Sequence, residues 1–147
     1  MDCLTVRVIN HLYFYRTDMK AKFFKCNVCG NVFVQLNDSG IVPQCCNRPM
    51  EILDANTTEG KGELHIPCVQ RLDCSTVRVV VSRVEHPMQD EHHICFILLE
   101  TSCGFQVRYL EVNHRPEAIF FTTATPLAVY AYCNIHGLWK ATDLVFE

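Results

Sequence analysis

A chain of 147 residues, 49% hydrophobic and 20% charged, has room for one domain, or for a small one joined to a medium one, and reads as globular. A net charge of -3 and a pI near 6.1 argue against the basic stripe of a nucleic-acid binder. No apolar run approaches the ~20 residues that span a bilayer, the longest strong one being ICFILL at 94 to 99, so no membrane partner is expected.

Taken in chain order, MDCLTVRVINHLYFYRTD comes first. It is interrupted by Arg7, Asn10, His11 and Arg16 and lacks a small-residue cleavage site, which is not the pattern of a signal peptide. The expected compartment is therefore the cytoplasm, where thiols stay reduced. Leu4, Val6 and Val8 alternate with polar residues, so an extra strand is one reading; a true start at Met19 is the other. Residues 1–21 are taken as an extension of unassigned role.

Ten cysteines in a reducing compartment call for a metal or for catalysis rather than for disulfides. Four of them, Cys26, Cys29, Cys45 and Cys46, fall in a segment too short to build a core of its own. KFFKCNVCGNVFVQL suggests two short strands around a Cys-x-x-Cys turn, with Gly30 relieving the backbone just after it. Cys45 and Cys46 are adjacent, and neighbouring side chains of an extended chain point apart, so both serve one ion only if the backbone bends there. Four thiolates would satisfy a tetrahedral zinc or iron ion and leave no open position; spacing does not choose between the two metals. Residues 22–57 are read as a small metal-stapled domain, and DANTTEGKG, residues 54 to 62, as a linker by composition.

From residue 63 onward, in a second domain taken as 58–147, the chain reads as strands. VRVVVSRV (77 to 84), ICFILLE (94 to 100), FQVRYLE (105 to 111), AIFFTT (118 to 123) and LAVYAYC (127 to 133) are rich in β-branched and aromatic residues, and turn signals separate several of them. The expected fold class is all-β, with an immunoglobulin-like antiparallel sandwich after the small domain. Three stretches in this part carry further candidate ligands. GELHIP places Glu63 and His65 on one side of an extended strand, HPMQDEH has His86 and His92 at its two ends, and YCNIHG supplies Cys133 and His136. Each is unremarkable alone, since a lone loop histidine is usually solvated and Cys133 could be plain core. Together they offer a nitrogen-rich site with one sulfur.

These stretches resemble the desulfoferrodoxin family of two-iron superoxide reductases over about residues 22 to 142. CNVCGN and CCNRPM are similar to its desulforedoxin-like part; GELHIP, HPMQDEHHI and YCNIHGLWK are similar to its neelaredoxin-like part, in order and spacing. The resemblance implies two iron ions per chain. One is held by Cys26, Cys29, Cys45 and Cys46. The other has His65, His86, His92 and His136 in an equatorial plane, Cys133 as axial thiolate, and Glu63 as the carboxylate that occupies the sixth position of the ferric ion. It also implies one-electron reduction of superoxide to hydrogen peroxide without release of oxygen, rubredoxin or a similar small iron protein as electron donor, and a homodimer.

One position departs from the family pattern: Leu64 stands where most members carry a lysine that attracts the anion. Lys61 could lean into the same space, or be a solvated linker residue. His93 and His114 are left out of the ligand set, because adjacent extended residues face apart. Cys3, Cys68, Cys74, Cys95 and Cys103 have no ligand role, and Cys68 and Cys74 could pair across a turn under oxidative stress. The competing readings are a non-catalytic iron electron-transfer protein and a zinc-stapled binding module.

Overall fold

The computed structural model describes residues 21–58, 61–142 and 144. Residues 1–20, with the candidate first strand, Cys3 and the alternative start at Met19, lie outside them. Apart from a 3-10 turn at Gly62–Leu64, the regular elements among the described residues are strands, and their pairings are antiparallel.

The first part contains β1 (Lys22–Lys25), β2 (Val32–Gln35), β3 (Gln44–Cys45), β4 (Arg48–Pro49) and β5 (Glu51–Ile52). Strands β2, β1 and β5 form one small sheet in that order, and β3 pairs with β4 in a hairpin. The remainder contains β6 (Pro67–Arg71), β7 (Thr76–Val81), β8 (Ile94–Thr101), β9 (Gly104–Tyr109), β10 (Glu117–Phe121), β11 (Pro126–Cys133) and β12 (Gly137–Ala141). A three-stranded sheet, β10-β7-β6, faces a four-stranded one, β12-β11-β8-β9.

Burial explains the strand patterns. In β7 only Val77, Val79 and Val81 are buried, as expected when one face of a sheet packs and the other meets water. They join Ile97, Leu99, Phe120, Val129 and Ala131 between the two sheets. In β8, by contrast, five consecutive residues from Ile97 to Thr101 are buried. The second face of the four-stranded sheet is covered by the small sheet: Phe23 of β1 packs with Leu98, Tyr130, Tyr132 and Leu138. Its ring lies 5.0 Å from Tyr130 and 6.2 Å from Phe96. The unbroken apolar run of β8 is thus the mark of a strand covered on both sides.

The structure departs from the sequence reading at β6 and β12, which the reading of strands did not include, and in four further places. VRVVVSRV ends as a strand at Val81, because Ser82 takes φ 74 and turns the chain. Glu63 and His65 do not share an extended strand. Leu64 N bonds to Lys61 O at 3.2 Å and His65 N to Gly62 O at 3.1 Å, closing a 3-10 turn, and the strand begins only at Pro67. The segment 54 to 58 is not a free linker: Asn56 is bound at both ends of its amide to Lys140, at 3.0 and 2.8 Å, and its N–H donates to Leu138 O. Finally, Cys68 is a free thiol while Cys74 is disulfide-bonded, so the suggested Cys68–Cys74 bond is not made. Cys68 sits mid-strand, paired with Val80, about 10 Å of strand short of the turn that holds Cys74, beyond the ~7 Å Cα reach of a disulfide.

Candidate metal centres

The four-cysteine cluster is assembled from turns. After β1, Cys26 O accepts the N–H of Gly30 at 2.9 Å, and Gly30 adopts φ 79, so the chain doubles back with the sulfurs of Cys26 and Cys29 on one side. The bend expected at the adjacent pair is present: Cys46 and Asn47 take φ 51 and 58, the left-handed region that non-glycine residues seldom adopt. Cys29 Sγ lies 3.6 Å from Cys45 Sγ, and Cys45 Sγ 3.9 Å from Cys46 Sγ. Sulfurs about 2.3 Å from a shared tetrahedral ion would be about 3.8 Å apart, so these separations fit one.

The electrostatics agree. The backbone N–H groups of Cys29 and Val28 lower the Cys26 thiol to about 6. Its sulfur neighbours, Cys29 first, push Cys46 up to about 12 and raise Cys45. Four thiolates crowd one another, and a cation among them relieves the crowding.

The second cluster is built on the sandwich. Cys133 closes β11 at a register shift, fully buried. Gly137, at φ 78, starts the return strand β12 opposite it, and the intervening turn carries His136 back over the sulfur. His136 N–H donates to Cys133 Sγ at 3.4 Å. The loop with His86 and His92 is pinched by a mutual pair of backbone bonds between Gln89 and His92, at 3.0 and 3.1 Å. Asn134 fastens it to the Cys133 turn, donating to Glu91 O at 3.0 Å and accepting His93 N–H at 2.9 Å. His65 enters from the end of the 3-10 turn.

The four imidazoles form a closed ring. Centroids of His65 and His86, His86 and His92, His92 and His136, and His136 and His65 are 4.5, 4.6, 4.9 and 4.8 Å apart, with neighbouring planes at 73° to 77°. His65 and His92 lie across the ring, 6.3 Å apart and only 31° from coplanar. One ligand atom from each histidine and Cys133 Sγ all fall within 4.8 Å of one another. Cys133 Sγ is 3.7 Å from His136 Nδ1.

Tautomers identify what belongs in the middle. His65 Nδ1 bonds to Lys61 O at 2.8 Å and His86 Nδ1 to Pro87 O at 2.6 Å. A carbonyl only accepts, so both Nδ1 atoms carry the proton and both Nε2 atoms are lone pairs. Yet these Nε2 atoms face each other at 2.9 Å, and His65 Nε2 lies 3.0 Å from His136 Nδ1. His92 Nε2 is buried without a partner. Nitrogens about 2.1 Å from a shared ion and at right angles would be about 3.0 Å apart. Lone pairs at that spacing repel one another unless a cation lies among them. Burial lowers the pKa of His65 and His92 and brings His86 to about 4, so these three imidazoles are neutral and ready to ligate at pH 7. Burial raises the Cys133 thiol, while the N–H groups of His136 and Ile135 favour its thiolate.

The structure therefore brings together His65, His86, His92, Cys133 and His136 in one cluster, and Cys26, Cys29, Cys45 and Cys46 in another. The side chain of Glu63 lies outside the described parts. His93 Nδ1 turns to Gln89 O and His114 Nδ1 to Val112 O, away from both clusters. Two supports went unread in the sequence. Trp139, buried in β12, stacks on His65 at 4.7 Å and 20°. The Lys61 carbonyl orients His65, and no sequence signal reports a main-chain acceptor; Trp139, the chain's one tryptophan, three residues past His136, could have been noticed.

An all-β protein with one sulfur-only and one imidazole-rich metal cluster is a two-centre metalloprotein of the non-haem kind. The desulfoferrodoxin family profile matches residues 57–142. Desulfoferrodoxin of Desulfarculus baarsii is 35% identical over 124 residues, 84% of this chain and 98% of its own. The desulfoferrodoxin homolog of Methanothermobacter thermautotrophicus is 42% identical over 121 residues, 80% of this chain and 95% of its own. The crystal structure of the superoxide reductase from Treponema pallidum superposes with a TM-score of 0.69 at 30% identity, covering 83% of this chain and 97% of that one. The chain belongs to the desulfoferrodoxin family, and its four-cysteine and four-histidine, one-cysteine clusters correspond to two iron centres.

Proposed function

We propose that this protein is a superoxide reductase, converting superoxide to hydrogen peroxide with no release of oxygen. The observation that carries the reading is the closed ring of four imidazoles with the Cys133 thiol beside it. His65, His86 and His92 through Nε2, and His136 through Nδ1, would hold an iron that supplies the single electron. Cys133, whose Sγ lies 3.7 Å from His136 Nδ1, would supply a fifth ligand, and a set of five protein ligands would leave the iron able to take a small oxyanion. His65 and His86 are buried and His92 and His136 half-buried, so the substrate would approach from the His92–His136 side. The backbone N–H of His136 favours the Cys133 thiolate, against the burial that raises the thiol. Glu63 is the proposed carboxylate that would bind the iron once it is oxidised. Leu64, half-buried, offers the substrate neither charge nor proton.

The domain boundaries that go with this reading are 22–57 and 58–147. The four-cysteine centre would exchange electrons only, since four sulfurs leave it closed. Rubredoxin or a similar small iron protein is the proposed donor. A reducing, cytoplasmic setting is proposed from the cysteine-rich metal clusters, with Cys74 as the one described cysteine that is disulfide-bonded. Phe33, Ile41, Val42 and Ile52 are exposed in the first part and support a homodimer closed through that surface, which sedimentation would detect.

Mixing the ferrous protein with superoxide anaerobically is the test. One peroxide formed per superoxide consumed, with no oxygen evolved, is expected; oxygen evolution would mean dismutation and would overturn the reading.

A further inference from the structure

The core beneath the small sheet holds a buried acid–phenol pair that neither centre uses. Tyr130 of β11 donates its hydroxyl to Glu100 Oε2 of β8 at 3.0 Å, and the two residues are 2% and 4% exposed. A carboxylate inside a core costs several kcal/mol relative to an apolar residue unless its partners are good, on the order of 1–3 kcal/mol even for a neutral polar group. This one lies beneath the small sheet, on the apolar face shared by Leu98, Ala128 and Tyr132.

The surroundings give the pair a direction. The Tyr130 ring touches Phe23 at 5.0 Å, and Phe23 is three residues from Cys26. In the other direction Tyr130 is three residues from Cys133 on one strand, about 10 Å of chain. Tyr130 is thus linked to the first centre through the Phe23 ring and to the second along its own strand. Burial raises its pKa well above the tyrosine range, so at rest it keeps its proton. A phenol that keeps its proton resists oxidation, because its radical cation is a strong acid. Lys140 Nζ, 5.2 Å from the ring centroid, further opposes positive charge there. An electron leaves Tyr130 readily only if the proton leaves with it, and Glu100 Oε2 is in place to take that proton.

We propose that Tyr130 and Glu100 form an oxidisable tyrosine–carboxylate pair that discharges hydrogen peroxide when peroxide reacts a second time at the imidazole-ringed centre. The inference rests on the reading of that centre as a peroxide-producing iron site. Peroxide takes two electrons, its O–O bond breaks, and two hydroxide ions result. One electron comes from the ferrous iron, which becomes ferric; the other comes from Tyr130, which becomes a neutral phenoxyl radical as its proton passes to Glu100. The oxidising equivalent is thus held on one buried ring instead of at the ligand sulfur of Cys133.

The test is rapid-freeze electron paramagnetic resonance of the iron-loaded ferrous protein after addition of hydrogen peroxide. A tyrosyl radical is expected in the unmodified chain and in Tyr109→Phe and Tyr132→Phe, and is expected to vanish in Tyr130→Phe. General bases contribute about 10²–10⁴-fold, so Glu100→Gln, which keeps a hydrogen-bond acceptor but removes the base, should lower the radical yield at least about tenfold. No radical in the unmodified protein, a signal that survives Tyr130→Phe, or an unchanged yield in Glu100→Gln each overturns the proposal. The Glu100→Gln arm decides the matter if Tyr130→Phe does not fold. Superoxide consumption assayed on the same samples reports separately: a radical without superoxide reduction upholds the pair and rejects the proposed function.

Discussion

The two clusters reach similar ligand spacings by opposite routes. Cys29 and Cys46 are exposed, and their cluster sits on turns with two consecutive left-handed residues, flanked by strands of two to four residues. The buried apolar group around it is Phe24, Cys26 and Met50. The imidazole ring hangs instead on strands of five to eight residues, over a core that includes Val77, Ile97, Phe120 and Val129. Main-chain carbonyls hold His65 and His86, and Asn134 ties the loop that carries His92 to the Cys133 turn through Glu91 and His93. The first site is expected to depend on its metal for its shape, the second far less. The physical reason is burial, since a few short strands cannot repay the entropy of ordering themselves.

Metal removal is the strongest way to break that comparison. Structural metal sites of this size contribute on the order of 10 kcal/mol to the fold around them. Chelation, or Cys29→Ser, is therefore expected to abolish amide-exchange protection from Phe24 to Ile52, while Val79, Leu99 and Val129 stay protected. Equal loss of protection in both parts would show that the sandwich depends on its metal as much as the small sheet does.

The legibility of the sequence follows the same division. The Cys-x-x-Cys turn and the bend at Cys45–Cys46 could be read because thiolate chemistry and backbone sterics are local. Five of the strands, β7 to β11, could be read from β-branched and aromatic content. The 3-10 turn at Gly62–Leu64 could not, because GELHIP has the composition of a strand and its conformation is set by the Lys61 and Gly62 carbonyls. The supposed linker was misjudged for a related reason: Asn56 looks like a turn residue, and only the tertiary fold places it against Lys140. Strand β12 was hidden because Gly137 and Lys140 dilute its apolar signal, and Trp139 declares its role only once it is stacked on His65. The ligand sets were suggested by family resemblance; their convergence is a property of the fold.

A middle-sized effect tests how the two parts are joined. Phe23 is 2% exposed and plugs the outer face of the four-stranded sheet against Tyr130 and Phe96. Truncating a buried phenylalanine costs about 3–5 kcal/mol. In Phe23→Ala the loss should fall on the small sheet's attachment, measured by denaturant unfolding of the iron-loaded protein followed at the four-cysteine absorption band. The imidazole-site band should unfold at nearly its original denaturant concentration, because Phe23 touches no ligand of that site.

The smallest effect concerns the one large side chain that leans on the ring from behind. Trp139 is 1% exposed and stacks on His65, yet its Nε1 is buried without a hydrogen-bond partner. An unpaired buried donor costs about 1–3 kcal/mol, which Phe in its place would not incur; the smaller ring gives back part of that gain through lost contacts. The two terms oppose each other at similar size, so Trp139→Phe should shift stability by less than about 1.5 kcal/mol. His65 keeps its bond to the Lys61 carbonyl in the variant, and the orientation of its Nε2 should survive. A melting temperature close to the parent's, with an unaltered thiolate-to-metal absorption at the second centre, would show that the carbonyl and not the indole positions His65. A displaced band would reverse that ranking and make the stacked ring the positioning element.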